Sequence, residues 1–146
     1  MYNKMQKILA VAFCVIMLLS VIACRENTIP ETDKTQEDGA PITYIQITAA
    51  QAKELMDKET GYVILDARTQ EEYDESHIPG AILMPEYEVS EKAEETFPDK
   101  GQLILVYCRS GRRSKIAAQA LADLGYSNVK EFGGIIDWPY EVEPSK

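Results

Sequence analysis

Residues 102–125 read "QLILVYCRSGRRSKIAAQALADLG", and two periodicities meet inside them. The apolar run 103–107 lacks the polar alternation of a half-solvated strand, so it reads as a strand buried on both faces of a parallel sheet. After Ser114 the spacing becomes helical: Ile116, Ala117, Ala120, Leu121 and Leu124 share a face, and Gly125 stands where a helix closes with a left-handed residue. Between strand and helix lie Cys108 and a short loop rich in arginine. In sheets of this kind the chemistry collects at the carboxyl ends of the strands, so the junction is the first place to look for a site.

The same alternation runs outward from this segment. "TYIQI" (43–47) reads as a first strand, and Thr48 with Gln51 forms a capping box that opens a helix through Leu55 and Met56. "YVILDA" (62–67) is a second buried strand, and Thr69 with Glu72 repeats the capping signature before a short helix. "HIPGAILM" gives a turn and a brief strand, "SEKAEETF" a helix with an acidic face, and "NVKEF" a last strand before Gly133 and Gly134. Strands alternating with helices predict an α/β domain over 42–146: a central, mostly parallel sheet of about five strands with helices on both faces.

Composition bounds the rest. At 146 residues, 45% of them hydrophobic, the chain suffices for one compact core and not two. A formal net charge of −9 disfavours general affinity for nucleic acid, so any basic spot must be local.

The N-terminus is not part of that core. Lys4 and Lys7 precede a sixteen-residue run, 8–23, broken only by Ser20 and followed by Cys24. That run is short for a membrane span, which needs about 20 residues, and suits the apolar region of a secretory signal. "VIAC" (21–24) resembles the lipobox of bacterial lipoproteins. The resemblance implies that 1–23 is a signal peptide and that Cys24 becomes a lipidated N-terminus, an uncleaved signal anchor being the alternative. Both readings put the domain on the extracytoplasmic side of a membrane. Residues 25–41, "RENTIPETDKTQEDGAP", are polar and acidic, a flexible tether of roughly 20–25 Å mean reach.

Cysteine usage then singles out one sulfur. Cys14 falls in the signal and Cys24 at the lipid, which leaves Cys108 as the sole free thiol of the mature chain, and an unpaired cysteine in an exported protein invites reading as a reactive one. If residues 109–113 curl around it, their N–H groups converge on the sulfur beside a helix N-terminus, with Gly111 allowing the tight turn. Those dipoles, with Arg109, Arg112 and Arg113, favour the thiolate and would cradle an oxyanion. The plainer alternative makes Cys108 a small buried hydrophobe, which sits badly with such charge density.

"YCRSGRRS" (107–114) resembles the active-site loop of rhodanese domains, "LDARTQEEYDESHIPGAI" (65–82) is similar to another stretch of that family, and "FGGIIDW" (132–138) to its closing glycine pair and tryptophan. Three motifs in order, spanning about 42–140, imply a single-domain sulfurtransferase of thiosulfate sulfurtransferase type. The resemblance makes Cys108 the nucleophile and sulfur carrier. It makes the amides of Arg109, Ser110, Gly111, Arg112 and Arg113 the substrate-binding loop. In the related phosphatases the loop is one residue longer and ends in arginine; here that position is Ser114, and residues 108–113 give the six-residue length used for sulfur. The implied chemistry needs no metal and no organic cofactor, and with a single histidine a structural zinc site would lack ligands. A small sulfur anion and a thiol acceptor are the expected partners of a monomer, with a redox protein as a further candidate.

Other residues carry two readings each. Asp66 and Arg68 either line the pocket or form an internal ion pair that organises a turn. Trp138 either lines the pocket or packs in the core. His77 belongs to a structural turn rather than to a cysteine–histidine pair, and Glu71, Glu72, Asp74 and Glu75 read as a solvated helix face. Ser76 stands where the family has glycine, and Pro139 shortens the final helix. Two functions stay open: an enzyme moving sulfane sulfur, or a low-turnover persulfide carrier that docks to a redox partner.

Overall fold

The computed structural model describes residues 43–145; the signal, Cys24 and the whole tether lie outside them. Five strands form one sheet: β1 (Ile45–Gln46), β2 (Val63–Asp66), β3 (Ala81–Leu83), β4 (Ile104–Cys108) and β5 (Val129–Gly134). Their order is β1-β5-β4-β2-β3, and every pairing is parallel. Four helices connect them: α1 (Ala49–Lys58), α2 (Gln70–Glu75), α3 (Val89–Thr96) and α4 (Arg112–Asp123). The expected α/β architecture is therefore the observed one.

Strand alternation divides the core into two layers. Ile104, Val106 and Cys108 of β4 join Val89, Ala93, Ala117, Ala118 and Leu121 on the side of α3 and α4. Leu105 and Tyr107 point the other way, to Ala52, Phe132 and Trp138 on the side of α1 and α2. Every residue of β2 and β4 is buried, as a central parallel strand covered on both faces requires. Both capping boxes form, with the Thr48 and Thr69 hydroxyls accepting from the N–H groups of Gln51 and Glu72.

Helix α4 departs from the reading in two ways. It begins at Arg112, so Arg112 and Arg113 belong to its first turn rather than to a free loop. Its buried face is Ser114, Ala117, Ala118, Leu121 and Ala122, while Ile116 is 48% exposed. Small side chains at Ala118 and Ala122 let the helix lie close to the sheet, and that rotates Ile116 outward. The far end closes as expected: Gly125, at φ +93°, donates to the Ala122 carbonyl and Tyr126 to that of Leu121, the paired bonds of a Schellman cap.

The end of β5 is shaped to meet the loop after β4. Between the pairs Val106 with Glu131 and Cys108 with Gly134 the register slips, β5 taking three steps where β4 takes two. Gly133 absorbs the bulge at φ +90°. The chain then makes one 3₁₀ turn, Ile135–Asp137, and stops before Pro139, as its missing N–H dictates.

Gly134 is constrained by space rather than by dihedral angle. A Cβ there would sit 2.2 Å from the Arg109 carbonyl oxygen and 2.6 Å from the Ser110 Cα, both backbone atoms. Gly134→Ala is accordingly expected to cost about 1–3 kcal/mol by overpacking, and to displace the loop. Urea denaturation measures the first effect; parental stability would mean that the turn has room to spare.

Candidate active site

Cys108 is the last residue of the central strand, paired in register with Gly134 of β5, while the β2 pairing ends one residue earlier at Tyr107. The chain must then reverse into α4 within three residues. Gly111 makes this possible as the residue preceding the helix, at φ +92° and ψ −10°, a left-handed conformation that side chains resist. Its N–H consequently points back at the strand and donates to Cys108 Sγ over 3.1 Å. Burial pushes the Cys108 thiol up. Hydrogen bonding from Ser114 and the N–H groups of Ser110 and Gly111 outweighs it, leaving the thiol below its ordinary value of 9.0. The sulfur is thus biased toward thiolate by these hydrogen bonds at the N-terminus of a twelve-residue helix.

The loop encloses this sulfur. Cys108 is 1% exposed, whereas Arg109 and Ser110 are exposed, so the cover over the thiol is the loop itself. The three arginines divide their roles. Arg109 and Arg112 extend into solvent, and among the described residues neither makes an ion pair. Arg113 is held by Glu72, its two terminal nitrogens donating to the two carboxylate oxygens over 2.6 and 2.8 Å. Glu72 is therefore not one more residue of a solvated face. It closes the α2 capping box through the Thr69 N–H and anchors the first turn of α4.

Two residues of the site escaped the sequence reading. Ser114 is buried, and its hydroxyl donates to Glu131 Oε1 over 2.6 Å. Glu131, 3% exposed, also accepts from the Gly133 N–H over 2.8 Å. A signal for Glu131 existed: it shares strand parity with the inward-facing Val129 in "NVKEF", so an acid there has to find buried partners.

The pocket-lining alternative for Asp66, Arg68 and Trp138 is not what the geometry favours. Asp66 is buried and accepts from Arg68 Nε and Nη2 and, over 2.6 Å, from the Tyr107 hydroxyl. Arg68 Nη2 also donates to the Ser76 carbonyl over 2.7 Å, and its guanidinium lies 5.6 Å from the Tyr107 ring centroid. The Tyr107 oxygen accepts from the Ile78 N–H. This network ties β2, β4 and the 76–78 turn together on the sheet face away from Cys108, so it is an ion pair that organises a turn. Trp138 packs against Phe132 at 5.4 Å between centroids, in the same layer. His77 stacks on Tyr73 at 3.8 Å, and its backbone pairs with Glu143.

The fold and this site define an α/β domain that holds one thiol beneath an amide-lined turn at the head of a helix. Residues 48–139 match the model of the rhodanese-like domain, and the chain belongs to that family. It is 40% identical over 73 residues to the thiosulfate sulfurtransferase PspE of Escherichia coli, covering 50% of this chain and 70% of that one. It is 36% identical to the thiosulfate sulfurtransferase GlpE of Coxiella burnetii, over 65% of this chain and 87% of GlpE. YrkF of Bacillus subtilis, named as a sulfur carrier protein, is 33% identical over 76% of this chain, which spans 58% of YrkF. Among solved structures, a rhodanese-related protein of Thermoplasma volcanium superposes with a TM-score of 0.61 at 30% identity, over 70% of this chain and all of that one. A rhodanese from E. coli solved with anions gives 0.55 at 34% identity, over 57% and 99%.

The Arg113 guanidinium holds Glu72 at about 2, against an ordinary 4.5. A carboxyl depressed on folding contributes stability that is full above its unfolded value and fades as pH falls toward the folded one. Comparing the parent with Glu72→Gln by urea denaturation should give a gap of about 1–2 kcal/mol near pH 6 that closes by about pH 2. A gap that ignores pH would mean that ionisation of Glu72 adds nothing.

Proposed function

We propose that the chain is a sulfurtransferase that moves sulfane sulfur from thiosulfate or a persulfide donor, through a Cys108 persulfide, to cyanide or a thiol acceptor. The observation that carries this reading is the Cys108 thiol, the one free thiol among the described residues, held below its ordinary pKa by hydrogen bonds from residues 110, 111 and 114 in a six-residue loop. The thiolate attacks the outer sulfur of the donor. A new S–S bond forms, the donor's own S–S bond breaks, and sulfite departs with that electron pair when the donor is thiosulfate. The outer sulfur of the persulfide inherits the amides that held the thiolate. Attack on it by cyanide or a thiolate returns the Cys108 thiolate. No net oxidation occurs, and no metal or organic cofactor takes part. Arg109 and Arg112, exposed beside the loop, attract anionic donors, and their solvation makes that attraction sensitive to salt.

A second reading, a low-turnover persulfide carrier that docks to a redox partner, draws on the enclosure of Cys108 and the likeness to YrkF. An acceptor that must dock before the loop parts would turn over small molecules slowly. Purified full chain incubated with thiosulfate and cyanide is expected to release thiocyanate, and Cys108→Ser to release none. Intact mass after thiosulfate alone separates the readings: one added sulfur with thiocyanate turnover supports the enzyme, and one added sulfur without turnover supports the carrier. A native chain that gains no sulfur would sink both, and Cys108-dependent hydrolysis of an aryl phosphate would overturn the argument from loop length.

We further propose that this chemistry occurs as a monomer outside the cytoplasm, tethered through a lipid on Cys24; the motif at 21–24 supports this. In bacterial expression the parent should incorporate radiolabelled fatty acid and lose residues 1–23, and Cys24→Ala should do neither. A parent that takes up no label would remove the lipid anchor.

A further inference from the structure

The edge of the sheet that carries Cys108 also carries the barest apolar side chains. Among the described residues the two most exposed large hydrophobic side chains are Tyr87, at 69%, and Ile136, at 64%. Tyr87 lies in the connection from β3 to α3, and Ile136 in the turn that follows β5, so both stand past the carboxyl ends of strands. One exposed apolar residue needs no explanation, whereas two on the edge that holds the reactive group do.

Ile136 is joined to the loop itself. Its N–H donates to the Arg109 carbonyl over 3.3 Å, and Gly134, two residues earlier, packs against Arg109 and Ser110. Between the two apolar flanks Arg109, Ser110 and Arg112 are exposed, and among the described residues neither arginine makes an ion pair. The sheet order β5-β4-β2-β3 sets the strands that lead to the flanks three spacings apart, about 14 Å. Across the buried sulfur the outer surface therefore reads apolar, cationic, apolar. Tyrosine and arginine beside an apolar group are the residues in which the centres of protein contact surfaces are enriched.

Cyanide or a small anion draws on the arginines and gains nothing from apolar side chains set so far apart. We propose that the acceptor of the Cys108 sulfur is a cysteine of a second protein, in a segment that sets acidic residues against Arg109 and Arg112 and apolar ones against Ile136 and Tyr87. The inference rests on the sulfur-transfer reading and names its acceptor. The acceptor thiol gives its proton to solvent. Its thiolate electron pair forms a bond to the outer sulfur of the persulfide, the bond from that sulfur to Cys108 breaks, and Cys108 leaves as a thiolate. The net charge of −9 repels an acidic partner elsewhere on the surface, so the two arginines also orient its approach.

The test offers the full chain, loaded with thiosulfate, a synthetic peptide with a central cysteine, an aspartate on each side of it and a leucine beyond each aspartate. Comparison peptides carry lysine for aspartate or glycine for leucine, and cyanide is the fourth acceptor. Mass spectrometry of the peptides and thiocyanate release follow the transfer, each peptide rate being expressed per thiolate. At low salt the aspartate peptide should accept sulfur about five times faster than the lysine peptide, and the gap should narrow as salt rises. A chain with Ile136→Ser and Tyr87→Ser should lose about fivefold toward the leucine peptide, while the glycine peptide and cyanide react as they do with the parent. Both side chains are exposed and the Ile136 N–H is kept, so the core is untouched. Equal rates for the aspartate and lysine peptides, or a loss in the variant that all acceptors share, overturn the proposal. A chain that takes up no sulfur from thiosulfate faults the sulfur-transfer reading, and mixed disulfides of the same peptides with thionitrobenzoate still decide the surface. There the Cys108 thiolate bonds to the peptide sulfur as thionitrobenzoate departs; the same order of rates is expected, and no difference among the peptides overturns the proposal.

Discussion

The convergence of backbone N–H groups on one buried sulfur is the constraint around which the domain is arranged. Taking a thiolate out of water is costly, and hydrogen bonds to a charged acceptor, at about 1.5–3 kcal/mol each, are what a protein has to offset it. For the amides of residues 110, 111 and 114 to meet at one point, β4 must end abruptly, the next residues must turn within three positions, and α4 must start pointing at the strand it follows. Gly111 supplies the turn, and the central place of β4 fixes where the sulfur stands. Gly134 then lies against the outside of the turn with no room for a methyl group, so the end of β5 acts as a wall that keeps the amides aimed inward.

Charge does less here than the count of arginines suggests. Two of the three project into water, where ions screen them over roughly 10 Å, and the third is neutralised by Glu72. What steadies the thiolate is hydrogen bonding from Ser114 and the loop amides, neutral donors that no titration in the ordinary range can remove. The charged side chains instead brace the frame. Glu72 joins α2 to α4, and Asp66 with Arg68 and Tyr107 joins two strands to the following turn on the opposite face of the sheet. Breaking either would loosen the loop without touching the sulfur.

Much of this was legible in the chain. Apolar runs ending at Asp66 and Cys108, two capping boxes and the glycine after α4 carry their structure locally, because strand burial, caps and left-handed turns are set by neighbours in sequence. The α/β architecture followed from their alternation, and the place of the thiol followed from the architecture. Pairings across the sheet were not legible. Glu72 and Arg113 are 41 positions apart, as are Asp66 and Tyr107, and Ser114 meets Glu131 over 17. Nothing in local spacing says which acid will find which donor. Ile116 was misplaced for a related reason: the helix turns the face that packs closest, and alanine packs closer than isoleucine.

Loop length is where the fold and the chemistry constrain each other most tightly. Ser114 occupies the place at which a loop one residue longer would set an arginine, and that place is fully buried and faces Glu131. Each added residue would turn α4 by about 100° and carry Ala117, Ala118 and Leu121 away from the sheet, unless the loop took up the excess. Gly134 already touches the Arg109 carbonyl and Ser110, so the loop has little space in which to do so. The six-residue span is thereby held by core packing on one side and by the β5 bulge on the other. A pocket fixed in that manner keeps its size regardless of what is offered to it. The preference we propose, for a small sulfur over a phosphoryl group, would then rest on the same contacts that keep the helix on the sheet.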